Sequence, residues 1–194
     1  MLMLALGMEK PIEGTVEVEF DGENTRIVPA ANLAPGTFAY VPQGNMLMSG
    51  TVRDVVTLAN ETPTYDRENR CTGEIAGAAS ASPSRKQADE QLLAEALHIA
   101  CADAFVEALP YGVDTLLGEK GSGLSEGQMQ RLACARAVYS GAPVLLFDEC
   151  TSALDPATER EMLNRLRALG RTVIIVTHRP AALNICDRTI KLEG

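Results

Sequence analysis

Two uninterrupted apolar runs, Val144 to Phe147 and Thr172 to Val176, flank a stretch patterned for a helix. Asp155-Pro156 supplies an N-cap and a first-turn proline; Met162, Leu163, Leu166 and Leu169 form an apolar stripe, and Gly170 follows the end. Continuous apolar runs of this length predict parallel strands buried on both faces. Parallel neighbours need a crossover, and a helix of this size provides it. Strand, helix, strand in that order makes the class α/β.

The rest of the chain is arranged around this unit. Thr15 to Phe20 alternates apolar and polar, then Asp21-Gly22, then Thr25 to Val28. That pattern predicts a half-buried hairpin with Val16, Val18 and Phe20 on one face. Phe38 to Val41 reads as a short strand ended by Pro42. Asn60 to Lys86 is rich in Ser, Thr, Gly and charge, without a sustained apolar period, and reads as a long, mobile surface excursion. From Ala88 a helical period places Leu92, Leu93, Ala96, Leu97 and Ala100 on one side, and a second short helix near Ala104 to Leu109 ends at Pro110.

The 194 residues suffice for one ordinary domain, and 46% hydrophobic with 22% charged residues is a globular balance. A formal net charge of −9 argues against a general nucleic-acid or anionic-membrane binder. No apolar run is long enough to span a bilayer, and Met1 to Leu6 lacks the basic start and cleavage site of a secretory signal. The five cysteines (Cys71, Cys101, Cys134, Cys150, Cys186) are widely spaced without a CxxC pair, which disfavours a zinc site or disulfide framework and fits a reducing cytosol.

Functional groups of a parallel α/β sheet collect at the carboxyl ends of its strands. Here Val144 to Phe147 ends in Asp148-Glu149, the run to Val176 and Thr177 leads into His178, and Val41 leads through Pro42 to Gln43. Acid pair, imidazole and amide are therefore expected on one edge of the sheet. An apolar strand delivering Asp then Glu suits metal-assisted phosphoryl chemistry: one carboxylate orients Mg²⁺, the next polarises a water. An acidic pair that merely caps the following turn is the plainer alternative.

Four motifs in order carry a family resemblance. Val144 to Glu149 followed by Ser152-Ala153-Leu154-Asp155 resembles the Walker B motif and D-loop of ATP-binding cassette (ABC) ATPases. Leu124-Ser125-Glu126-Gly127-Gln128, continuing to Arg131 and Ala135-Arg136-Ala137, resembles their signature motif. Tyr40 to Gln43, continuing Leu47 to Val52, resembles the Q-loop as exporters write it, and Val176 to Arg179 resembles the H-loop. On its own chemistry, Ser125 can cap the helix it precedes, with Gln128 completing a capping box, so that amides and the positive helix end make an anion site. Glu126 stands where the family's commonest form has glycine, and its carboxylate should point away from a triphosphate.

The resemblance implies a P-loop NTPase-like, mostly parallel sheet flanked by helices, with an ABC-type helical subdomain. It divides the chain into core parts 1–43 and 138–194, a helical signature subdomain 88–137 and a flexible insertion 60–87. It implies ATP and Mg²⁺ as cofactors, Glu149 as the water-activating base, His178 as transition-state support, and Asp148 and Gln43 as Mg²⁺ residues. Ser125, Gly127 and Gln128 would read the ATP of an opposite cassette in a head-to-tail dimer, and Asp155 would couple the two sites. The partners implied are that second cassette and a transporter's transmembrane domain, not nucleic acid, with the chain peripheral at the cytoplasmic face of the membrane.

The phosphate cradle G-x-x-x-x-G-K-[ST] does not occur in these residues. Gly118 to Ser125 has the glycine spacing but carries Leu124 in place of lysine. Met1 to Gly7 and Glu9-Lys10-Pro11 look like the end of the helix that follows the family's cradle, so the expectation is a cassette truncated at its N-terminus, its first strands and cradle upstream and the isolated chain inactive. The leading reading is the ATPase subunit or domain of an exporter-type ABC transporter, supported by Ser49 to Val52 and Gly118 to Gly121. Two others stay open: a non-catalytic, degenerate cassette that pairs with a complete one, and a soluble ABC ATPase of DNA repair or translation.

Overall fold

The computed structural model describes residues 6–20, 26–44, 50–57, 83–118 and 123–191. Strands β1 (Glu17–Phe20) and β2 (Arg26–Pro29) pair antiparallel, with Val18 opposite Val28. This is the expected hairpin; its Asp21-Gly22 turn lies outside the described residues. Gly7, at φ 70°, sits so near the Ala30 carbonyl that a Cβ there would lie 2.5 Å from the oxygen, so this position requires glycine. Met1 to Ala5 lies outside the described residues.

The central sheet is parallel, in the order β3 (Phe38–Val41), β6 (Val144–Asp148), β7 (Thr172–Val176). A second antiparallel pair joins β4 (Gly50–Thr51) to β5 (Leu116–Leu117). The helices are α1 (Val52–Thr57), α2 (Pro83–Ile99), α3 (Asp103–Glu107), α4 (Glu126–Tyr139), α5 (Pro156–Ala168) and α6 (Pro180–Ile185). This is the α/β class expected, with α5 bridging the parallel neighbours β6 and β7.

On one sheet face Val41, Leu145 and Phe147 join Leu132, Ala133 and Cys134 of α4 and Met162 and Leu166 of α5 in the core. Each fully buried Leu or Phe contributes about 1.5–3 kcal/mol, so this layer fixes the sheet against both helices. Val52, Val55 and Val56 of α1 and Leu93, Ala96 and Leu97 of α2 extend the same core.

Three expectations need correction. Strand β7 is not buried on both faces: Val173 and Ile175 pack on the core, while Ile174 and Val176 remain 40% and 37% exposed. The central β6 has a strand on each side, whereas among the described residues β7 pairs with β6 alone. Helix α2 starts at Pro83, ahead of Ala88, so the last residues of the proposed excursion are helical; proline is tolerated in a first turn. The rest of that segment, 60–82, lies outside the described residues. Leu92 is 48% exposed and flanks the stripe formed by Leu93, Ala96, Leu97 and Ala100.

Candidate functional site

Register brings the three polar strand ends level. Val41 pairs with Phe147, and Phe147 with Ile175, so Gln43, Glu149 and His178 follow just beyond one line across the sheet. Their side chains meet at Glu149. Gln43 donates from Nε2 to Oε2 at 2.8 Å, and His178 Nδ1 lies 3.3 Å from Oε1. Each carboxylate oxygen thus faces a different strand end. The imidazole is open to solvent (77% exposed) while the carboxylate is more sheltered (28%).

The backbone that presents this carboxylate is unusual. Glu149 has φ 50°, in the left-handed region that a residue with a Cβ seldom occupies, and its amide is held by the Val176 carbonyl at 2.9 Å. Such strain persists where surrounding contacts over-determine it, and it concentrates at functional sites.

Asp148, one residue earlier, is the last residue of β6. Its Oδ2 accepts from the Tyr40 hydroxyl at 3.3 Å. Partial burial, and then the neighbouring Asp148 charge, push the Tyr40 phenol above its ordinary pKa, so the hydroxyl remains a donor at neutral pH. Sequence reasoning gave Tyr40 no role. Strand alternation could have found it, because Tyr40 pairs with Leu146 and so shares the Asp148 face.

The remaining predicted residues gather at α4 and the loop before α5. Ser125 caps α4 in a full capping box: its Oγ accepts from Gln128 N at 3.2 Å, and Gln128 Oε1 accepts from Ser125 N at 2.8 Å. Glu126 is exposed in the first turn. Gly127 has a use within the chain that its motif did not announce. A Cβ there would stand 2.8 Å from the Ala153 carbonyl oxygen, so glycine lets α4 touch the loop after Glu149. Asp155 caps α5, its Oδ1 accepting from Ala157 N and Thr158 N at 3.0 Å each, and the Thr158 hydroxyl and amide hold its carboxyl below the usual range. The structure therefore brings Gln43, Glu149 and His178 into one cluster, with Asp148 adjoining, and joins Gly127 to the loop that ends at Asp155.

A profile of the ABC transporter family matches residues 1–152. The chain belongs to the ABC transporter family.

Curated relatives of this ABC transporter chain include the ATP-dependent lipid A-core flippases of Ralstonia nicotianae and Cupriavidus pinatubonensis. The first is 50% identical over 100 residues, covering 50% of this chain and 17% of that protein. The second is 42% identical over 120 residues, covering 61% and 20%. The chain thus spans about a fifth or less of the length of these relatives. Among solved structures, a bacterial Atm1-family ABC exporter with ATP bound superimposes with TM-score 0.62 at 28% identity, covering 84% of this ABC chain and 26% of that one. No helix among the described residues is long and apolar enough to cross a membrane.

Proposed function

We propose that this chain is the ATP-binding and ATP-hydrolysing part of an exporter-type ABC transporter, coupling hydrolysis to transport through a transmembrane partner. The observation that supports this most is the sharing of one carboxylate by Gln43 and His178 at the level carboxyl ends of three parallel strands. Glu149 acts as the base toward an attacking water: its backbone is locked, and both oxygens face groups that orient it. His178, exposed beside it, supplies a hydrogen bond to the phosphate undergoing attack. Placement of these groups, rather than covalent chemistry, carries most of phosphoryl-transfer catalysis.

An oxygen-rich pair at a strand end suits Mg²⁺, which takes one or two carboxylates and leaves its other positions to phosphate and water. Asp148 and Gln43 would hold it, and the Tyr40 hydroxyl fixes the Asp148 carboxylate from the side. A cation held there would neutralise phosphate charge, while the chain's own residues orient the water and the carboxylate.

Ser125, Gly127 and Gln128 form the second functional surface. The capped N-terminus of α4 presents the positive end of a 14-residue helix, and we read it as the contact to the ATP of a second cassette in a head-to-tail pair. Asp155 lies at the end of the loop joining this surface to Glu149. The partner membrane domain would place the chain at the cytoplasmic face. The relatives named ATP-dependent lipid A-core flippases support a lipid as the cargo, which the membrane part would select.

The deciding experiment is Glu149→Gln in the longest protein that carries this chain together with a phosphate cradle. ATP turnover should fall by about 10²–10⁴, the usual worth of a general base, while ATP-dependent pairing of cassettes persists. Unchanged turnover rejects Glu149 as the base.

A second reading has its own support. The signature surface is fully capped by side chains of this chain alone. The chain would then serve as a non-catalytic half, and adding it to a complete cassette should stimulate that cassette's ATP turnover.

A further inference from the structure

The loop between Glu149 and Asp155 is gripped from two sides by side chains that no motif role covers. From α4 comes Gln130, 3% exposed. Its Nε2 donates to Ser152 Oγ at 2.7 Å, and its Oε1 accepts from Ala153 N at 3.0 Å. From the segment after β7 comes Arg179. Its Nη1 donates to the carbonyls of Thr151, Ser152 and Leu154, the last two at 3.1 and 2.9 Å. Its Nη2 lies 3.0 Å from Oε2 of Glu159, a carboxylate only 2% exposed. The other Glu159 oxygen accepts from Thr151 Oγ1 at 2.8 Å, and Arg179 N donates to Thr177 Oγ1 at 3.0 Å, steadying the turn that carries His178.

The pattern has a physical purpose. A short loop starting from a left-handed residue needs its polar groups fixed elsewhere, or it relaxes and takes the carboxylate with it. A guanidinium fork meeting several carbonyls suits that task, and a lysine cannot reproduce the fork. A buried carboxylate with its cation makes removal of either partner costly, so this grip favours one loop conformation over others.

We propose that Gln130 and Arg179 are positioning residues that jointly fix the 150–155 loop, so that the signature helix and the His178 turn move as one unit with Glu149. The proposal deepens the reading of the chain as half of an ATP-driven pair and rests on it for its functional meaning. Its mechanical content concerns the single chain. A displacement of α4 by a partner's nucleotide is felt first at Ser152 and Ala153, then at Arg179, and then at the imidazole and carboxylate next to it.

The test is amide hydrogen exchange on the chain alone, without nucleotide, so its outcome is independent of whether pairing occurs. Arg179→Met should speed exchange at Ala153 and Leu154 at least tenfold. It should also speed exchange at Gln128 and Met129, in the first turn of α4, which Arg179 does not touch. Gln130→Leu should act on the same amides and also at Arg179 N. The double variant should fall well short of the product of the single effects, as expected when both act on one two-sided grip. Arg179→Lys keeps the charge opposite Glu159 but not the fork, and should give an intermediate effect; it replaces Arg179→Met in the comparison if that variant does not fold. Unchanged exchange at Gln128 and Met129, or single effects that simply multiply, overturns the proposal. If exchange behaves as stated but the chain fails to stimulate a complete cassette, the grip stands and the pairing reading falls.

Discussion

Gln43 and Glu149 are 106 residues apart in sequence and joined by a 2.8 Å hydrogen bond between the side-chain amide and one carboxylate oxygen. The contact exists because β3 and β6 are parallel neighbours in a register that ends the two strands within one residue of each other. A change at Gln43 therefore acts on the carboxylate directly. In an intact transporter, Gln43→Ala should lower kcat for ATP about 10- to 100-fold, in line with losing one hydrogen bond to a charged group at about 1.5–3 kcal/mol. Steady-state kinetics checks this, and an effect confined to KM would show that Gln43 serves binding alone.

The isolated chain should bind ATP weakly or not at all. Several charge-assisted hydrogen bonds to the phosphates would come from a cradle these residues lack, each worth about 1.5–3 kcal/mol. Titration calorimetry with Mg-ATP should show no saturation at micromolar concentrations. Micromolar affinity would mean that phosphate is held by another route.

Gly127→Ala tests the approach of α4 to the loop. Alanine gains about 1 kcal/mol of helix propensity over glycine. Against that stands a Cβ 2.8 Å from a backbone oxygen, an overlap of the kind that costs about 1–3 kcal/mol. The overlap should win, lowering the urea midpoint at unchanged slope. A raised midpoint would show that the helix can draw back without loss.

Ser125→Ala removes one side of the capping box and should cost about 1 kcal/mol, read as a lower thermal midpoint. Ser125→Asp should recover most of that loss, because Asp caps as well and its charge favours a helix N-terminus.

Acid should loosen the chain through two caps. Asp54 accepts from the Thr51 amide and hydroxyl, and Asp155 from Thr158 and Ala157; these bonds hold both carboxyls below their ordinary range. A group whose folded pKa is depressed favours the fold above its unfolded value, near 4, and that contribution fades as pH falls through the folded value. Thermal midpoints should therefore drop from about pH 5 downward. Asp155→Asn retains a capping side chain without the titration, and combined with Asp54→Asn it should flatten the acid limb. An unaltered limb in the double variant would assign acid sensitivity to other carboxylates.

How much of this could be read from the residues alone depends on the range of each interaction. The apolar runs of β6 and β7, the Asp155-Pro156 start of α5 and the Ser125–Gln128 box are local patterns, and the structure has all of them. The meeting of Gln43, Glu149 and His178 was expected from one rule about strand ends, which holds whatever the loops do. The outer face of β7 was misjudged because an apolar run does not say whether both faces of its strand are covered. Leu92 was misplaced because the apolar stripe covers a narrower arc than the period alone implies. The Gln130, Glu159 and Arg179 network was missed altogether. The side-chain contacts of Gln130 and Arg179 join residues 20 to 28 apart, and several involve backbone atoms, which carry no sequence signal. Glu149's backbone geometry likewise has no local signature, since a residue bound into that region is most easily foreseen when it is glycine or asparagine.

That last residue sets two selections against each other. A library at position 149 screened for soluble yield would drift toward glycine or asparagine, which accept the left-handed backbone at little cost. The same library screened for nucleotide turnover would keep glutamate. The most robust cassette and the working one would then part company at a single codon.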